Sequence, residues 1–234
     1  DVTLARRRID PLNTPDVRRL ERAPSIGYPQ VLALSGQDTV DGIKQGLNEL
    51  LRGDSLEGLV LDLRASDQGA PGVVIETLGT FVEGVVGEYH SRTGNEPIEI
   101  EPNELAPDYA DIPLAVLVDA ETEADAEQLA AILQDQGRAT IVGTETSGQT
   151  HGATTVDLPE GSLLQIVAYG FQLPDGQTLE GVGVTPDVVV DEDWLAYPES
   201  EDPFIAAALD VLASETESEA GAEVGAEVDE AAAA

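Results

Sequence analysis

The side chains of this chain that are equipped for chemistry gather in two short stretches. The first runs from Asp119 to Asp125, holds Asp119, Glu121, Glu123 and Asp125, and is followed by Glu127. The second, Gly143 to His151, reads Gly-Thr-Glu-Thr-Ser-Gly-Gln-Thr-His. A hydroxyl of Thr146, Ser147 or Thr150 beside His151 has the make-up of a nucleophile and its base, because imidazole titrates near neutral pH. The plainer reading, a loop histidine with ordinary hydrogen bonds, is preferred. Four carboxylates in one loop can hold calcium or magnesium, which take oxygen ligands. A solvated acidic surface is the simpler account, and neither a metal nor a cofactor is expected. His90 lies far from His151 in sequence, neither has a second ligand at i+3 or i+4, and His90 reads as a surface residue near Arg92.

Both loops must be positioned by the elements around them. Pro113-Leu-Ala-Val-Leu-Val118 is a continuous apolar run, the pattern of a strand covered on both faces. Leu129, Ile132 and Leu133 recur at helical spacing, with Thr122 as a candidate cap and Gly137 as the stop. Ala139-Thr-Ile-Val142 returns as a second strand. In such a β-α-β unit, ligands and chemistry sit at the loops on the carboxyl ends of the strands.

Elsewhere the chain reads as a strand over Ile26 to Leu34 broken by Pro29, then a helix from Asp38, as cap, to Leu51. A buried strand spans Leu56 to Leu63, and a helix from Pro71 to Glu83 carries proline in its first turn. Tyr89 to Ile100 makes two strands about Thr93-Gly-Asn95. Thr154 to Leu158 and Ser162 to Leu173 make a hairpin about Pro159-Glu-Gly161. Thr185 to Val190 is a last strand, and Asp202 to Leu212 a helix with an aspartate cap and proline at its first position. Alternating strands and helices followed by hairpins predict an α/β fold: a mixed sheet with packed helices and a hairpin extension. Gly181, Gly183 and Pro186 are not set between a buried strand and a helix, so a structural turn is expected there, not a phosphate loop.

Five patterns in this order resemble the catalytic core of the C-terminal processing (tail-specific) serine peptidases. They are Gly58-Leu-Val-Leu-Asp-Leu-Arg64, the loops Thr122-Glu-Ala-Asp-Ala-Glu127 and Thr146-Ser-Gly-Gln149, Leu173-Pro-Asp-Gly176, and Gly181-Val-Gly-Val-Thr-Pro-Asp187. The likeness spans roughly residues 25 to 212 and implies the ClpP/crotonase-like peptidase core. It also implies a nucleophilic serine at the position of Ala124 and a lysine base at that of Gln149. An alanine methyl cannot attack a carbonyl, and a neutral amide cannot take a proton near pH 7. Lys44, the one lysine of the chain, lies on a separate predicted helix. The oxyanion loop is altered too, reading Ala65-Ser-Asp-Gln-Gly-Ala-Pro-Gly72. The oxyanion-loop region is therefore assigned to Ala65, Ser66 and Gly69, with Asp125 beside the nucleophile position. No catalytic set is intact, and Ser147 and His151 are the weak substitutes. Glu127 matches the family glutamate after the nucleophile, in a structural role at least as readily as a catalytic one.

The resulting expectation is a tail-specific-peptidase-like domain that has lost proteolysis and binds extended peptides or serves as a scaffold. Two alternatives stay open: an active serine-type endopeptidase with a non-standard nucleophile and base, and a purely structural domain of a secreted assembly. Polypeptides or protein C-termini are the implied partners, and a location outside the cytoplasm follows from the resemblance alone.

Length and composition set the outer bounds. With 234 residues, 41% hydrophobic, the chain can bury a sizeable core. No apolar run approaches the roughly 20 residues that span a bilayer. Its formal net charge of −35, from 46 acidic and 11 basic residues, disfavours nucleic acid and anionic lipid. The acidity suits either a high-salt habitat or simply a soluble surface. The absence of cysteine excludes disulfides. The absence of methionine suggests a processed or excised piece. Residues 1–24, with Arg6, Arg7, Arg8, Arg18, Arg19 and Arg22, read as a basic linker, the stump of an upstream PDZ domain under the resemblance. Residues 25–212 form the core, and 213–234, built only from Ala, Glu, Gly, Ser, Thr, Val and Asp, read as a disordered acidic tail. Oligomeric state is left open.

Overall fold

Side chains alternate between the two faces of a strand, so a strand that is apolar throughout must be covered on both sides. The computed structural model, which describes residues 14–67 and 69–216, obeys this rule at its centre. In chain order the elements are β1 (Asp16–Leu20), β2 (Ala23–Gln30), α1 (Gln37–Leu51), β3 (Gly58–Asp62) and α2 (Pro71–Leu78). There follow β4 (Gly84–Ser91), β5 (Gly94–Ile100), the short α3 (Ala106–Tyr109), β6 (Leu114–Val118), α4 (Asp125–Asp135) and β7 (Thr140–Gly143). The series ends with β8 (Gly152–Asp157), β9 (Leu163–Gln172), β10 (Val188–Val189) and a helix α5 over residues 203–216.

Six strands form a mixed sheet in the order β1-β2-β3-β6-β7-β10, antiparallel only between β1 and β2. Leu59 and Leu61 of β3 and Leu114, Val116 and Val118 of β6 enter one core with α1, α2 and α4. Val60, Ala115 and Leu117 point to the opposite face, onto Phe204, Ile205, Ala208 and Leu212 of α5. Each fully buried Leu or Val here contributes roughly 1.5–3 kcal/mol. The sheet is thus a three-layer centre, and its carboxyl end is where the β3, β6 and β7 loops meet. A second sheet, β5-β4-β9-β8, is antiparallel.

Several boundaries differ from the sequence reading, each for a local reason. Asp38 does not cap α1. The helix starts at Gln37 behind Gly36, and Asp38 sits in the first turn, where its charge suits the positive end of the helix. Thr122 does not cap α4 either; Ala124 holds that position, and the buried Thr122 hydroxyl donates to the Leu63 carbonyl at 3.0 Å. The second helix ends at Leu78. Residues 16–20, read as part of a basic linker, form the edge strand β1, with Arg19 donating to the Leu50 carbonyl at 2.8 Å. Asp202 does cap α5: its Oδ1 accepts from the Phe204 amide at 2.8 Å. That helix runs on to residue 216. Arg6, Arg7, Arg8 and the chain beyond 216 lie outside the described residues.

Candidate functional site

The two chemistry-bearing loops close on each other at the carboxyl ends of β6 and β7. The Ala124 N–H donates to the Gln149 carbonyl at 3.1 Å, and the Ser147 N–H to the Thr122 carbonyl at 3.2 Å. The Gln149 amide turns back to Glu123 Oε1 at 3.1 Å. Ala124 has φ 52° and ψ −119°, and Ala65 of the neighbouring β3 loop has φ 53°. Such conformations cost a non-glycine residue about 1–3 kcal/mol, and they collect at functional sites.

Glu127 is what holds this arrangement. It is fully buried on the first turn of α4. Its carboxylate accepts from the Gly148 N–H at 2.7 Å, the Gln149 N–H at 2.9 Å and the Ser147 hydroxyl at 3.2 Å, and from the Thr146 hydroxyl. Four donors on one carboxylate fix the whole 146–149 loop. A backbone-to-backbone contact fixes it from the other side: Gly181 N–H donates to the Gly148 carbonyl at 2.8 Å. A Cβ on Gly183, at φ 79°, would lie 2.4 Å from the Thr146 carbonyl, so only glycine fits there. The 181–183 turn is structural.

Two of the four carboxylates of the acidic loop, Asp119 and Asp125, are buried. Asp119 is buried, and its Oδ1 accepts from the Ala65 and Glu121 amides at 3.0 and 3.1 Å. Its Oδ2 accepts from the Trp194 indole at 3.0 Å. Glu121 is exposed. Among the described residues, no three histidine or acidic side chains converge in a way that could hold a metal. Asp125 is 8% exposed and packs on Gly69, where a Cβ would come within 2.2 Å of its own. Burial pushes its carboxyl up to about 6, offset only by its own backbone N–H, and its Oδ1 has no hydrogen-bond partner among the described residues. Ser66, which donates its N–H to Leu63 and accepts from Glu123 at 2.9 Å, completes this wall with Ala65 and Gly69.

Ser147 and His151 each have a carboxylate partner, and the two partners differ. The Ser147 hydroxyl is held by Glu127, and His151 Nδ1 lies 3.1 Å from Glu180 Oε1. Glu180 also accepts the Thr150 and His151 amides at 2.9 and 3.0 Å. His90, on β4, is less open than a plain surface position. It is partly buried, and a Cβ on Gly170 would lie 2.4 Å from its Nε2 and 3.2 Å from His151 Cδ2. The two histidines are thus neighbours across β9.

Residues 25–190 match peptidase family S41. The chain belongs to that family. The carboxy-terminal-processing protease of Bartonella bacilliformis is 28% identical over 171 residues, 71% of this chain and 39% of the relative. The carboxyl-terminal-processing protease of Picosynechococcus is 30% identical over 192 residues, 80% of this chain and 45% of the relative. The solved photosystem II D1 C-terminal processing protease superposes with a TM-score of 0.64 at 28% identity, covering 74% of this chain and 44% of that one. A putative S41 protease from Bacteroides fragilis, at 16% identity and a TM-score of 0.67, shares the fold. This S41 domain spans less than half the length of the curated relatives it matches.

Beside the two loops of the S41 domain lies a cavity of about 570 Å³, lined by Pro71, Tyr89, Asn95, Ala168 and Tyr169 among others. Tyr89 donates to Gln128 Oε1 at 3.2 Å, and burial raises its hydroxyl above the usual range. One support is missed entirely by sequence reasoning. Arg64, 2% exposed, donates to Asp62 through Nε and Nη2 at 2.9 and 2.7 Å and to Asp202 at 2.8 Å. Its guanidinium stacks 4.2 Å from the Trp194 ring centre. This cluster ties the β3 loop to the start of α5. The Arg64 position in the Leu-Asp-Leu-Arg run was visible, but its partner 138 residues later was not.

Proposed function

We propose that this S41 domain has lost proteolysis and binds extended polypeptides, with protein C-termini as the partner class. The observation that carries this reading is the contact between Ala124 and Gln149. The two positions where the family resemblance calls for nucleophile and base meet at 3.1 Å, and they present a methyl group and a neutral amide. The engagement of Ser147 by Glu127 and of His151 by Glu180 argues against an improvised pair. The cavity between Pro71, Tyr89 and Tyr169, flanked by β9, offers apolar and aromatic surface to an extended chain. A location outside the cytoplasm is part of the proposal and rests on the resemblance. Among the described residues no helix is long and apolar enough to cross a membrane.

The test measures peptide hydrolysis by the natural chain beside Ala124→Ser/Gln149→Lys, together with anisotropy of labelled peptides. An inert natural chain that binds peptide, at roughly micromolar Kd, supports the proposal. Cleavage by the natural chain overturns the loss of proteolysis. Absence of binding across a peptide library overturns the peptide-binding role and leaves a structural domain.

A further inference from the structure

The β8–β9 hairpin is built unlike the rest of the surface. β4 pairs with β9 only from Tyr169 to Gln172, so from Leu163 to Ala168 the hairpin is a two-stranded ribbon. Every residue from 153 to 167 is exposed. Leu163 and Val167 are 67% and 64% exposed, and Val156, Leu164 and Ile166 are exposed as well. The pairing Val156↔Leu164 and Thr154↔Ile166 puts three of these on one face; Leu163 and Val167 lie on the other. A two-stranded ribbon in water is marginal alone, and contiguous exposed apolar surface marks an interface.

Charge selects what covers it. The chain carries a formal net charge of −35, yet Gly161 to Pro174 contains no charged residue. On the whole hairpin only Asp157 and Glu160, at its tip, are acidic. A basic partner would be drawn to the acidic body and not to this neutral ribbon, whereas two bodies of the same strong charge repel each other least where neither is charged. A second copy of this chain supplies the same neutral, apolar ribbon. A two-fold axis would bring the patch onto itself in a self-complementary contact. We infer that two copies associate through this ribbon, burying Val156, Leu164 and Ile166 of each against the other. The inference does not depend on whether the chain hydrolyses or binds peptides.

Sedimentation velocity of the full chain tests it, in about 1 M KCl, where the Debye length falls to roughly 3 Å. The series covers about two decades of concentration, up to ~100 µM, because association follows protomer concentration. The expected result is a shift from monomer to dimer along the series. Leu164→Glu/Ile166→Glu is expected to weaken the dimer more than about tenfold by placing carboxylates in an apolar contact. Ser55→Glu/Ser200→Glu, which adds the same charge at exposed positions away from the ribbon, is expected to dimerise like the natural chain. Should the ribbon variant misfold, hydrogen exchange of the natural chain gives a second reading: amides 163–167 slow as concentration rises. A natural chain that stays monomeric throughout overturns the inference and leaves the ribbon to a different partner. A ribbon variant that folds and dimerises undiminished overturns it as well.

Discussion

The Ala124 N–H donates to the Gln149 carbonyl at 3.1 Å, so the loops after β6 and β7 meet at two residues whose side chains cannot react. A serine at 124 without a base at 149 would remain poorly activated. Ala124→Ser is therefore expected to stay near background. Ala124→Ser/Gln149→Lys is expected to exceed it by at least about 100-fold in kcat/KM, the usual contribution of a positioned base. Steady-state cleavage of a fluorogenic peptide checks this.

Asp125 makes stability depend on pH with a definite sign. Its carboxyl is raised from 3.8 to about 6 by burial, so the folded state keeps a proton that the unfolded state has lost between those values. Stability from this group is whole below about pH 4 and falls as pH rises through about 6. Asp125→Asn is expected to stabilise the fold at pH 7 by up to about 3 kcal/mol and to make no difference near pH 4. Paired urea titrations of the two proteins at fixed salt, compared as differences, test the sign.

Glu127→Gln replaces a carboxylate that serves four donors with an amide whose NH2 cannot accept. The expected loss is about 2–4 kcal/mol, because backbone amides at Gly148 and Gln149 are left without a charged acceptor. Thermal unfolding gives the magnitude. Faster hydrogen exchange confined to residues 146–149 would place it in this loop.

Arg64→Met leaves Asp62 and Asp202 buried without their cation, a change expected to cost about 3–5 kcal/mol. Trp194, the one tryptophan of the chain, stacks on Arg64 and donates to Asp119. Its emission is expected to shift in the folded variant, before any unfolding. An unchanged spectrum would contradict the stacked geometry.

What the sequence disclosed and what it withheld divide along a physical line. Leu114–Val118, Gly137 and the Asp202-Pro203 helix start were legible because strand burial, helix termination and capping are written in neighbouring residues. The family's five patterns located the site loops for the same reason. Arg64 with Asp202, and Glu180 with Thr150, were not legible, since such partners are chosen by the folded chain across long separations. Asp119 and Asp125 misled for a different reason. In a chain with 46 acidic residues a carboxylate reads as surface, and these two are buried.

Glu127 grips the 146–149 loop through two main-chain amides and the hydroxyls of Thr146 and Ser147, and none of the four donors is the side chain at 149. Position 124 likewise meets the other loop through its main chain. Tooling and mount are therefore separate in this domain. Under the proposed loss of proteolysis, exchanging the side chains at 124 and 149 would give up the Gln149–Glu123 contact but leave the Glu127 mount in place, so the seat in which an active pair could be refitted would be kept.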